Sequence, residues 1–134
     1  MIKGINHIIF SVKDLEEAFD FYKEILELKP IMKSSYSAYF EVGDTWLALM
    51  EEAGNKKRNL YNHIAFHLNQ EDYYKLKDLL VRSKVESWQD DKTEGESFYF
   101  CDPSGNKLEI HYNTIDDRIE YGKLNWTGDI KWFR

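Results

Sequence analysis

Alternating and helical patterns of apolar residues divide the chain into two halves with the same order of elements. In the first half, Ile5 to Val12 alternates between two faces and is rich in β-branched residues, which predicts a strand. Apolar residues then recur at helical spacing from Leu15 to Leu26, behind Asp14 as the expected N-cap. Two short strands follow, in SAYFEV and TWLALME. The first half therefore reads β-α-β-β.

The second half repeats this order. Tyr61 to Leu68 is a predicted strand, and Asn69 caps a helix with apolar residues at helical spacing. SFYFC and NKLEIHY are strands around a tight turn, and Val85 to Trp88 is a further predicted strand. We therefore expect one α+β domain of two paired βαβββ modules: module one at about 1–52, a polar linker at about 53–60, and module two at about 61–134. The tail, 130–134, is either a last strand or a docked end.

Size and charge limit the possible classes of protein. The 134 residues suit one compact domain, and the net charge of −6 argues against a general nucleic-acid binder. No apolar run approaches the roughly 20 residues that span a bilayer, and the start of the chain lacks a signal-peptide pattern. Cys101 is the only cysteine, so an intrachain disulfide is impossible. We expect a cytoplasmic protein without membrane or nucleic-acid partners.

A histidine occurs in the same short frame in both halves. Asn6-His7-Ile8 and Asn62-His63-Ile64 are each followed one residue later by phenylalanine, although the chain has only four histidines. Two modules with open curved sheets would enclose a concave surface, and the first strand of each would contribute one histidine to it.

Two histidines and one acid form a candidate metal site. His7 and His63 suit Mn²⁺, Fe²⁺, Zn²⁺ or Ni²⁺. Glu109 is the best third ligand, since an acid on an otherwise apolar strand is costly; its counterpart in the first half is about Leu49. The alternative is that both histidines are structural residues with hydrogen-bond partners. His67 lies roughly 13 Å from His63 along an extended strand, too far for one ion, whereas spacing alone does not exclude His111.

Four long stretches resemble one known family. They are GINHIIFSVKDLEEAFDFY, AYFEVGDTWLAL, YNHIAF and EGESFYFCDPSGNKLEIHYNTIDDRIEY. Over nearly its whole length the chain is similar to the vicinal-oxygen-chelate (glyoxalase and bleomycin-resistance-like) superfamily, and more narrowly to its fosfomycin resistance enzymes. The resemblance implies Mn²⁺ as the usual ion. It also implies a homodimer, in which His7 comes from one subunit and His63 with Glu109 from the other.

The same resemblance implies roles for the residues around the metal. Trp46 and Tyr61 match residues on the epoxide side of the pocket, and with Tyr99 they are the expected catalytic positions. The residues that match a phosphonate site are Thr93, Ser97, Tyr99 and Arg118. The segment KTEGES, Lys92 to Ser97, resembles the K⁺-binding loop of the glutathione-using branch.

The implied reaction is Mn²⁺-dependent addition of a small thiol, glutathione or bacillithiol, to the epoxide of fosfomycin. Two residues depart from the family pattern: Ile9 stands where a hydroxyl or thiol is common, and Gln89 where the glutathione branch has lysine. Three alternatives stay open. One is epoxide hydrolysis, although Ser34 to Ser37 lacks the carboxylate of the hydrolase branch. The others are drug sequestration and a related metalloenzyme with another small substrate.

Overall fold

Each half of the chain forms a small sheet whose first strand runs parallel to its last. The computed structural model describes residues 1–56, 60–90 and 97–134. The first sheet has the order β1-β4-β3-β2 and the second β5-β7-β6. The strands of the two sheets are β1 (His7–Val12), β2 (Lys29–Lys33), β3 (Ser37–Val42), β4 (Thr45–Glu51), β5 (Ile64–His67), β6 (Ser97–Cys101) and β7 (Lys107–His111).

Three helices are fixed at their starts by the side chains that the sequence indicates. The carboxylate of Asp14 accepts the backbone N–H of Glu17 at the start of α1 (Leu15–Asp20), which continues as a π-helix over Phe21–Ile25. Asn69 caps α2 (Gln70–Arg82). Thr114 and Asp117 form a full capping box at α3 (Ile115–Asn125). The α+β class is confirmed, and among the described residues no helix is both long and apolar enough to span a bilayer.

The strand register confirms the internal repeat and corrects one expected counterpart. Tyr39 pairs with Ala48, as Tyr99 pairs with Glu109. The first-half counterpart of Glu109 is therefore Ala48, and the expectation of Leu49 is wrong by one residue. The difference of one residue matters, because successive side chains of a strand point to opposite faces of the sheet, so Leu49 faces the side opposite to Ala48.

One hydrophobic core joins both halves and contains a polar link between them. Core residues come from both sheets and from the first two helices, including Tyr22, Phe40, Tyr73 and Phe100. The Tyr22 hydroxyl donates to the buried Asp102 carboxylate at 2.8 Å. Burial raises the pKa of Asp102, and hydrogen bonds from Asn106, Tyr22 and Ser104 oppose that rise. Burial and the Asp102 charge together raise the pKa of Tyr22 well above its ordinary value.

The segment before β6 differs from its prediction. Val85 to Trp88 is described, but it forms no regular strand, so that prediction is wrong. The Cys101 N–H of β6 donates to the Glu86 carbonyl of this segment, and the next residue, Gln89, forms an isolated bridge with Tyr99. The Ser87 hydroxyl donates to the Gln89 carbonyl, a local contact that competes with strand pairing. In the first half, by contrast, β2 completes the βαβββ order.

The C-terminal tail is docked on α3 and forms no strand. Trp132 stacks on Trp126 with ring centroids 6.0 Å apart, and a Cβ added to Gly122 would lie within 3 Å of both indole rings. The Arg134 guanidinium binds Asp116 at 2.9 Å. The docked end is therefore the correct one of the two expected states.

Candidate metal centre

His63 and Glu109 meet at the centre of the second sheet. His63 directly precedes β5, and Glu109 lies on β7 opposite Ala65. Their Nε2 and Oε1 atoms are 2.9 Å apart, while Nδ1 of His63 lies 2.8 Å from the backbone oxygen of Tyr61. The structure thus brings together two of the three predicted ligands.

The surroundings of the His63 ring fit a metal ligand. Both ring nitrogens face oxygen acceptors, and an imidazole can donate to both only when it is doubly protonated. Binding of a cation at Nε2 would leave Nδ1–H to the carbonyl of Tyr61. Metal-bound histidines usually donate their second N–H in this way, which fixes the tautomer and the ring orientation.

The Glu109 carboxylate is held on its other side by Ser97 and His111. Glu109 is only 6% exposed, so its charge needs partners. The Ser97 hydroxyl donates to Oε2 at 2.7 Å and also lies within hydrogen-bond distance of Nδ1 of His111. His111, a rival ligand by spacing, thus lies beside the carboxylate, with Nδ1 3.7 Å from Oε2. The other rival, His67, is exposed at the end of β5.

Tyr99 belongs to the same buried group. Burial raises the pKa of Tyr99, and the nearby Glu109 charge raises it further. Hydrogen bonds with Ser97 and Gln89 oppose this rise. The phenol therefore stays protonated at neutral pH.

Trp88 packs against the predicted site although the sequence reasoning did not select it. Its ring centroid lies 4.9 Å from His63, 5.8 Å from Tyr61 and 5.0 Å from Tyr99. The indole N–H donates to the Leu108 carbonyl at 2.9 Å, which fixes the ring over the second sheet.

The third predicted ligand lies on the other sheet. His7 is exposed at the start of β1, where its ring stacks on Trp46 with centroids 4.7 Å apart and planes 10° from parallel. Tyr39 adjoins Trp46, with centroids 6.5 Å apart. Within residues 1–56, 60–90 and 97–134, no group of three or more His, Cys, Asp or Glu side chains is arranged to hold a metal. One chain therefore does not unite His7 with His63 and Glu109.

Of the remaining predicted site residues, Arg118 lies on α3 and Thr93 lies outside the described residues. Arg118 is half-buried in the first turn of α3, where its backbone N–H donates to the Thr114 carbonyl. Thr93 lies outside the described residues, as does the loop expected to bind K⁺ except for Ser97.

The fold and this pair of sheets define the class of protein. Residues 4–110 match the model of the Glyoxalase/Bleomycin resistance protein/Dioxygenase superfamily, and the chain belongs to this superfamily.

Individual relatives narrow that class. The chain is 38% identical over 128 residues to the metallothiol transferase FosB of Lysinibacillus sphaericus, covering 91% of each sequence. It is also 38% identical over 129 residues to FosB of Staphylococcus saprophyticus, covering 92% of this chain and 85% of the relative.

Solved structures of fosfomycin resistance proteins are also similar to this chain. The fosfomycin resistance protein FosX of Listeria monocytogenes, a variant bound to Mn(II) and 1S,2S-dihydroxypropylphosphonic acid, superposes with a TM-score of 0.80 at 31% identity. The match covers 90% of this chain and 98% of FosX. FosX of Mesorhizobium loti gives a TM-score of 0.74 at 28% identity, covering 89% and 99%.

Proposed function

We propose that this chain is a fosfomycin resistance enzyme that adds a low-molecular-weight thiol to the epoxide of the antibiotic. The observation that carries the proposal is the His63–Glu109 pair, held by outer hydrogen bonds, in a chain similar to metallothiol transferases over nine-tenths of its length. In the reaction, the thiol sulfur forms a bond to an epoxide carbon and the carbon–oxygen bond breaks. The thiol proton ends on the freed oxygen.

The proposed metal ligands are His7, His63 and Glu109, and the proposed ion is Mn²⁺. Two imidazoles and a carboxylate suit this ion, and the solved FosX complex contains Mn(II). A divalent metal held there would act as a Lewis acid on the epoxide oxygen. Tyr61, through its backbone carbonyl, orients the His63 ring, and Trp88 packs against it.

The site is proposed to form between two copies of the chain, with His7 supplied by a second copy. His7 is exposed, and on the same face of β1 Ile9 is 55% exposed, an unusual state for a large apolar residue on a strand. In the described part of one chain His7 does not join the other two ligands. A homodimer would supply the missing nitrogen and cover this face.

The substrate is proposed to lie between the aromatic side chains and α3. Trp46 and Tyr61 would contact the epoxide side, and Tyr99 would line the pocket beside them. Arg118 would bind the phosphonate, since its planar guanidinium matches such a group and its helix start is positively polarised. Thr93 and a K⁺ ion at Lys92 to Ser97 remain predictions, as does a cytoplasmic location.

Hydrolysis of the epoxide is the second candidate. It is favoured by the similarity to FosX, one solved complex of which contains a dihydroxypropylphosphonic acid. Against it, Ser34 to Ser37 contains no acid, and the Ser34 and Ser37 hydroxyls are paired at 2.9 Å. Without a placed base, water is a poorer nucleophile than a thiolate.

Mass spectrometry of the products tests the proposal. The purified protein with Mn²⁺ and fosfomycin is incubated with no thiol, glutathione, cysteine or bacillithiol. We expect a thiol adduct with at least one thiol and no diol in its absence, and the Glu109→Gln variant controls for uncatalysed addition. A diol formed without thiol would instead establish hydrolysis. No product with tight fosfomycin binding would indicate sequestration, and no binding would indicate another substrate.

A further inference from the structure

We infer that His111 is a positioning residue for Glu109, acting through the hydroxyl of Ser97. The inference rests on the proposed metal site and extends it by one shell of residues. It concerns a histidine that is 9% exposed and whose Nδ1 lies beside Ser97 on the neighbouring strand.

The direction of each hydrogen bond follows from the number of hydrogens available. A metal-binding Glu109 must be a carboxylate, which only accepts. Ser97 has one hydroxyl hydrogen, and it goes to Oε2 at 2.7 Å. The Ser97 oxygen can then only accept, both in its hydrogen bond with Tyr99 and in its contact with Nδ1 of His111, so His111 carries its proton on Nδ1.

Because of these hydrogen bonds, the two oxygens of the Glu109 carboxylate have different partners. Oε2 is taken by Ser97, whereas Oε1 faces the Nε2 atom of His63. The carboxylate is thereby oriented with one oxygen toward the proposed ion. The same count of hydrogens changes the role expected for Ser97, which was predicted to hold the phosphonate. A hydroxyl that gives its hydrogen to Glu109 cannot also donate it to a phosphonate.

The first sheet provides an internal comparison. Ser37 pairs with Met50 at the position where Ser97 pairs with His111, and Ala48 replaces Glu109. There the serine is kept, but its hydroxyl turns to Ser34 at 2.9 Å. At these two register positions the second sheet has His111 and Glu109 together, whereas the first sheet has neither an imidazole nor a carboxylate.

The other ring nitrogen of His111 argues against a purely structural role. Nε2 is buried and has no hydrogen-bond partner among residues 1–56, 60–90 and 97–134, and an unsatisfied buried polar atom lowers stability. A phenylalanine would fill this position without that cost. The benefit that offsets it lies at Nδ1, the atom that contacts Ser97.

Mn²⁺ affinity without fosfomycin tests this role, measured from the electron paramagnetic resonance signal of free Mn²⁺. Loss of an outer-shell partner commonly weakens metal binding by about 10- to 100-fold, and we expect this for His111→Phe and for Ser97→Ala. The double variant should bind no more weakly than Ser97→Ala, because His111 acts through the hydroxyl. Additive losses would overturn the inference, as would wild-type affinity in His111→Phe.

Conservative variants separate the donor atom from the bulk of the ring. The amide nitrogen of His111→Asn falls near Nδ1 and should keep the affinity within about threefold, whereas that of His111→Gln falls near Nε2 and should not. Equal affinities in the two variants would overturn the inference even if His111→Phe fails to fold. Circular dichroism checks the folding of each variant.

His67→Phe is the matched control, since His67 pairs with His111 in register but is exposed, and its Mn²⁺ affinity should not change. A loss in this control equal to that in His111→Phe would overturn the inference. A wild-type protein that binds no Mn²⁺ would overturn the metal site itself. A correct metal site with unaffected His111 variants would overturn only the positioning role.

Discussion

The two sheets present the same histidine frame but different neighbours. In the second sheet, His63 faces Glu109, and Ser97 and His111 hold the carboxylate from behind. In the first sheet, the positions of Glu109 and His111 are Ala48 and Met50, so the face around His7 is aromatic and aliphatic. A repeated scaffold therefore does not imply a repeated site.

Because their neighbouring residues differ, the two sheets would make different contributions to the proposed site. The second sheet supplies charge and oriented hydrogen bonds, whereas the first supplies one nitrogen beside the indole ring of Trp46. Neither sheet alone has three metal ligands. In the proposed dimer, each site combines one face of each kind.

The largest effect is expected from removing Glu109, whose counterpart in the first sheet is Ala48. Glu109→Gln keeps the side-chain volume but removes the negative charge, so Mn²⁺ binding should be lost. Turnover should fall by about a thousandfold, since metal catalysis is worth several kcal/mol. The matched control, Glu41→Gln, changes an exposed acid of the first sheet and should keep both properties. Metal retention in Glu109→Gln would contradict the proposal that the second sheet supplies a carboxylate ligand.

The next effect concerns the helix that follows the second sheet. Arg118→Ala should weaken fosfomycin binding by about 1.5–3 kcal/mol, the usual value of a hydrogen bond to a charged group, while Mn²⁺ binding survives. Titration calorimetry measures both. Arg82→Ala removes an exposed arginine of α2 that pairs with Asp78 and serves as the control. Unchanged fosfomycin affinity in Arg118→Ala would contradict the proposal that Arg118 on α3 binds the phosphonate.

A smaller effect tests the polar link between the halves. Tyr22→Phe removes a donor to the buried Asp102 carboxylate and should lower the free energy of unfolding by about 1–2 kcal/mol at pH 7. Because the folded pKa of Asp102 is raised, its contribution favours folding below its ordinary value of 3.8 and is lost as the pH rises through the folded value.

Loss of the tyrosine donor raises that pKa further, so the deficit of Tyr22→Phe should be larger at pH 7 than near pH 3. Urea unfolding at both pH values measures it, with the exposed Tyr74→Phe as the control. A deficit that does not depend on pH would mean that Tyr22 acts by packing alone.

The smallest effect is expected at the start of α3. Thr114→Ala removes the capping hydroxyl and should lower the free energy of unfolding by about 1 kcal/mol. The capping box also lowers the pKa of Asp117, so its contribution is present above 3.8 and is lost as the pH falls through the folded pKa. Thermal unfolding checks the change, and Thr127→Ala, just beyond the helix, is the control. Equal stability of wild type and Thr114→Ala would show that the cap is dispensable.

Local signals in the sequence were sufficient for most elements of the fold. Capping residues located the starts of the first two helices, the repeated frame selected His63, and the cost of an acid on an apolar strand selected Glu109. These signals are short-range, and they depend on side chains that satisfy nearby backbone groups.

What escaped prediction depends on pairing between distant strands. The contact of Ser97 with His111 requires the register of β6 on β7, and a one-residue uncertainty was enough to exchange Ala48 for Leu49. Trp88 lies in an irregular segment without periodicity, so its contact with His63 has no pattern in the sequence.

Subunit complementation tests most directly the claim that each site joins two different faces from two copies. His7→Ala and Glu109→Ala proteins, each inactive alone, are mixed in equal amounts, unfolded and refolded together, and assayed for the fosfomycin–thiol adduct. A mixed dimer would have one site with all three ligands and one with neither His7 nor Glu109. A site shared between subunits should restore about one quarter of wild-type activity, because random pairing makes half of the dimers mixed and each mixed dimer has one complete site of two. No recovery, with both proteins refolded, would contradict it.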